Sequence, residues 1–161
     1  CSSDLLATDD YAQACHVSRS LNGKAISRQT FGIAPRIREL DELLRSSAKA
    51  RTMLRESHPE VCFWALAGGH PMCFPKKTRE GFAERLAVLE QCYPGATDLM
   101  GRAYLLHTGD GVARDDVLDA MANALNARAE PSDWRTLPRH PIRDGFGIPM
   151  SITYADFGNA C

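Results

Sequence analysis

The chain has 161 residues, 44% hydrophobic and 24% charged, with a formal net charge of −1. That balance excludes a disordered chain and offers no bulk attraction to nucleic acid, so any such binding needs a local basic patch. The length suits one soluble domain with a real core, and no apolar run approaches the roughly 20 residues of a membrane span.

Thr8 is placed to cap a first helix over Asp9–Asn22, whose apolar stripe includes Tyr11, Ala14, Cys15 and Leu21. Asn22-Gly23 ends it, and Lys24–Thr30 reads as a polar connection. Pro35 starts, or lies just inside, a second helix that buries Ile37, Leu40, Leu43 and Leu44. Ser46–Arg51 reads as a surface loop.

The stretch from Arg55 to Gly69 organises the rest. Met53-Leu54 reads as a short strand, Pro59 suits the first position of a helix, and Val61–Leu66 is an apolar segment stopped by Gly68-Gly69. His58 and Glu60 then sit at a strand-to-helix junction, where sites of α/β folds gather.

Gly69–Lys77 reads as a loop. Thr78 caps a helix with Phe82, Leu86, Leu89 and Cys92 on its buried side, and Pro94-Gly95 ends it. Asp98–His107 is a further helix, and Thr108–Gly111 a turn. Asp115 opens a helix to about Arg128, with Val117, Leu118, Met121 and Leu125 apolar. Glu130–Gly147 reads as a Pro- and Arg-rich loop, and Ile148–Tyr154 as a terminal strand, because Met150, Ile152 and Tyr154 alternate. Residues 155–161 read as a frayed tail. Two strands do not make a stable sheet, so either the chain is nearly all helical or strands of this fold lie outside it.

The cysteines (Cys1, Cys15, Cys62, Cys73, Cys92 and Cys161) are scattered, with no C-x-x-C pair or zinc spacing. They read as free thiols of a cytoplasmic protein. Asp116 and Asp119 lie three apart on a helix, so their carboxylates, with Asp115 beside them, suit Mg²⁺ or Mn²⁺. The competing reading is a solvated acidic face that complements the helix dipole. Glu60 and His58 carry the same ambiguity. Lys76, Lys77 and Arg79 crowd a helix N-terminus, which disfavours cations unless an anion binds there; Arg28 and Gln29 are weaker phosphate contacts. Phe63 and Trp64 read as core. Dinucleotide-binding, Walker and G-x-S-x-G motifs are missing from the sequence.

Four segments in order, ISRQTFGIAPRIRELD, ESHPEVCFWALAGG, KKTREGFAERLAVLE and DDVLDAMANAL, resemble domain-of-unknown-function family 429, whose members are predicted nucleases of ribonuclease H-like fold. The resemblance runs from about Tyr11 to Tyr154. It implies an α/β, ribonuclease H-like domain spanning 1–161, truncated at the N-terminus, helix-rich and poor in strands. It also implies a phosphodiester hydrolase that uses Mg²⁺ or Mn²⁺ and takes nucleic acid as partner. Asp116, Asp119 and Glu60 would be metal ligands, with His58 beside them and Lys76, Lys77, Arg28 and Gln29 on phosphate. Members begin with a strand bearing Asp-Gly-Cys and continue through an Ile-Asp-Ile-Pro-like segment; neither is matched here, so two acidic positions go unfilled. The alternative is a non-catalytic binding or assembly module whose strands come from a partner, a second copy or an absent N-terminal segment.

Overall fold

The fold begins with a carboxylate that closes a helix. Asp10, rather than Thr8, caps α1 (Tyr11–Asn22) by accepting the Gln13 N–H at 2.8 Å, because its side chain reaches the third helical residue. Gly23 ends α1 at φ 72°, a left-handed conformation that favours glycine. The computed structural model describes residues 8–107 and 109–158, which divide into two compact units, Cys1–Leu54 and Arg55–Cys161.

In the first unit, α2 runs Arg28–Ser46 and is capped by Ser27, which accepts the Thr30 N–H. Pro35, expected near the helix start, is inside it; the cap outweighs the one hydrogen bond that the proline deletes. The polar connection therefore ends at Ser27, and α2 begins seven residues before Pro35. The expected loop over Ser46–Arg51 holds a short helix, α3 (Ala48–Met53), capped by Ser47. Met53 is thus helical and not the start of a strand.

The second helix also departs from expectation in burial. None of its nineteen residues is buried, and Ile33, Ile37, Leu40 and Leu43 are all more than 40% exposed. Its contacts with α1 use another side: the Phe31 ring meets Tyr11 edge-on at 5.4 Å, and Arg38 pairs with Asp9 at 2.9 Å. The apolar stripe is present, but α1 does not cover it.

The second unit holds α4 (Pro59–Leu66), α5 (Arg79–Cys92), α6 (Ala96–Leu106) and α7 (Arg114–Arg128), then β1 (Trp134–Leu137) and β2 (Ile152–Ala155). Its core is Cys62, Phe63, Leu66, Leu89, Ala96, Met100, Val117, Leu118 and Ala122. Phe63, Leu89 and Leu118 are completely enclosed, each worth about 1.5–3 kcal/mol relative to exposure. The strands pair antiparallel, Trp134 opposite Ala155 and Leu137 opposite Ile152. β1 lies inside what reads as a proline- and arginine-rich loop; its four residues alternate in burial, which is too short a pattern to stand out from sequence.

The segment from Arg55 to His58 is extended beside β2, where the Glu56 carbonyl accepts the Thr153 N–H at 2.7 Å. β2 reaches Ala155, which is fully buried, and Phe157 packs against the core; of the expected frayed tail, residues 159–161 lie outside the described residues, as does Thr108 of the expected turn. Chain organisation is therefore helix-rich α/β: seven α-helices and two strands among the described residues. No helix among them is long and apolar enough to cross a membrane.

Candidate functional site

His58 and Glu60 stand at the entry to α4, but the junction is not the expected strand-to-helix one, because Met53 ends α3 and residues 54–58 form neither helix nor strand. His58 is the N-cap, and its Nδ1 accepts the Glu60 N–H at 3.3 Å. Pro59 takes the first helical position, where its missing N–H has no cost. Gly68 and Gly69, at φ 65° and 84°, stop the chain after the helix.

The Glu60 carboxylate is committed to Arg85 on α5. Arg85 Nε donates to Oε1 at 3.1 Å and Nη2 to Oε2 at 2.7 Å, while Nη1 reaches the carbonyls of Phe74 and Gly81 at 3.0 and 2.9 Å. The guanidinium is 4% exposed and lies over the Phe63 ring at 5.6 Å. A buried charge is tolerable only when paired and fully hydrogen-bonded, and Arg85 meets both conditions. No sequence motif marks Arg85 as the partner of Glu60. The signal was a cation on the α5 stripe between Phe82 and Leu89.

The loop between α4 and α5 is fastened from three sides. Glu84 accepts the N–H groups of Cys73 and Phe74 at 2.7 and 3.1 Å, and these donors hold its carboxyl below the usual carboxylate range. Arg85 holds the Phe74 carbonyl. Lys76 Nζ then donates to Asp119 on α7 at 2.8 Å, with Asp115 at 3.6 Å. Its hydrogen bond to Asp119 is the largest cause that raises the Lys76 ammonium above the ordinary lysine value. Gly81 lets the loop lie against α5: a Cβ there would stand 2.0 Å from the Pro75 carbonyl oxygen.

Asp115 and Asp119 are therefore not on a solvated face; their side chains are only 20% and 18% exposed. Asp116 is exposed, and its Oδ2 accepts the Ala113 N–H at 3.2 Å, closing the start of α7. Lys77 is exposed. In the other unit, Arg28 stacks over the Tyr11 ring at 4.6 Å, and Gln29 is exposed on the first turn of α2.

A second polar network went unnoticed in the sequence. Asn126 on α7 is buried; its Nδ2 donates to Ser57 Oγ and to the Thr153 carbonyl, both at 3.2 Å, and its Oδ1 accepts the Ala155 N–H. Ser57 Oγ donates to Asn123 Oδ1 at 2.9 Å. These contacts tie α7, β2 and the extended segment together. Cys62 lies at the edge of this network, and burial pushes its thiol up. Cys15, Cys62, Cys73 and Cys92 are free thiols.

An open cavity of about 470 Å³ adjoins the α4 entry, lined by His58, Glu60, Val61, Trp64, Leu137 and Ile152. Phe63 is core as expected, whereas Trp64 is half-buried on this cavity, its ring edge-on to Tyr154 at 5.4 Å.

A divalent cation of the Mg²⁺ or Mn²⁺ class needs several oxygen ligands free to bind it. Both Glu60 oxygens face Arg85, one Asp119 oxygen faces Lys76, and Asp116 caps its helix. Among the described residues, no group of three or more His, Cys, Asp or Glu side chains is placed to hold a metal ion. As arranged, these residues do not fit the ion. One atom departs from this pattern: Asp119 Oδ1 is buried without a hydrogen-bond partner.

The family model described as protein of unknown function (DUF429) matches residues 2–143. The chain belongs to this family. No curated protein and no solved structure matches it. The residues joined in the DUF429 chain by the Glu60–Arg85 and Lys76–Asp119 pairs come from three of the four segments that carried the resemblance.

Proposed function

We propose that this DUF429 chain is a non-catalytic binding or assembly module, in which the acidic residues of α4 and α7 fasten a loop instead of holding a metal. The observation that carries the reading is that Glu60 and Asp119 each have an internal cationic partner. A carboxylate whose two oxygens both accept from a buried guanidinium is a poor ligand, because a metal would have to displace that cation and leave it buried without the pairing. Assembly is also favoured by the small sheet: two strands and the adjoining Arg55–His58 segment leave it open to extension, and isolated two-stranded sheets are marginal.

Thermal unfolding during a Mn²⁺ titration tests this. A metal site filled at a hundred times its dissociation constant adds about 2.7 kcal/mol, several degrees of Tm. The assembly reading expects no rise with Mn²⁺ in either the wild type or Asp116→Asn. A rise that vanishes in Asp119→Asn would overturn it.

One observation favours a second reading, a Mg²⁺- or Mn²⁺-dependent nuclease of ribonuclease H-like type acting on nucleic acid. The partnerless Asp119 Oδ1, next to Asp115, is an oxygen that a cation could satisfy. That reading requires Lys76 to leave Asp119, and further carboxylates that the described residues do not bring there. Exposed Lys77 would then be a phosphate contact.

A further inference from the structure

We draw no further inference here: the strongest candidate, the exposed apolar stripe of Ile33, Ile37, Leu40 and Leu43 along α2, is an unpartnered helix face, and nothing in the structure shows what covers it.

Discussion

Arg85 is the side chain on which the second unit leans most. It is almost wholly buried, and its donors close on Glu60, Phe74 and Gly81. Arg85→Met keeps the packing against Phe63 but removes the hydrogen bonds that the Glu60 carboxylate and the Phe74 carbonyl accept. We expect a loss of about 2–4 kcal/mol in denaturant unfolding, the lower end reflecting how far Glu60 can turn to water. A variant within a few tenths of wild type would remove Arg85 from this role. Glu84 governs a pH effect. Its folded pKa lies below its ordinary value, so its contribution is complete above the ordinary carboxylate range and is lost as pH falls through the folded pKa. Glu84→Gln should therefore flatten part of the acid limb of a stability-against-pH curve. Lys76 has the opposite sign. With its folded pKa raised, its contribution is complete at neutral pH and disappears only as pH climbs through that raised value.

At the scale of elements, the approach of α5 to the preceding loop gives the sharpest prediction. Helix propensity says that Gly81→Ala should stabilise by up to about 1 kcal/mol. Contact with the Pro75 carbonyl says the reverse, since backbone must move to admit the methyl group. A lower Tm for Gly81→Ala is the expected result, and a higher one would show that the loop gives way freely. Asn126→Ala should cost about 2–4 kcal/mol, because Thr153 and Ala155 lose their partner inside the structure; hydrogen exchange at the Ala155 amide should accelerate in parallel. The same elements show what the sequence could express. Thr78, Pro59 and Gly68-Gly69 are local signals, and α4 and α5 begin and end where they say. The start of α2 went unread because Pro35 is a loud signal and Ser27 a quiet one. Arg85 and Asn126 each interrupt an apolar stripe, which marks them as unusual without naming partners 25 and 29 residues away. Glu60 and Asp119 were found by position, but their cations could be identified only from the fold.

For the whole molecule, the two units have different characters. Residues 55–158 contain a packed helical core with a small sheet at its edge, whereas the preceding unit contributes a nineteen-residue helix with no buried residue. A helix of that length draws most of its stability from burial of an apolar face, and the stripe of Ile33, Ile37 and Leu40 is the face that the assembly role we propose would cover. The central claim is that the acidic residues of the DUF429 motifs hold this architecture together, and the sign of one stability change decides it. Carboxylates gathered for a metal repel one another when the metal is absent, so neutralising one stabilises the protein; carboxylates bonded to internal cations do the opposite. The decisive measurement is thermal unfolding of Glu60→Gln and Asp119→Asn in chelator-treated buffer. Our account predicts a lower Tm for both, and a rise in either would contradict it.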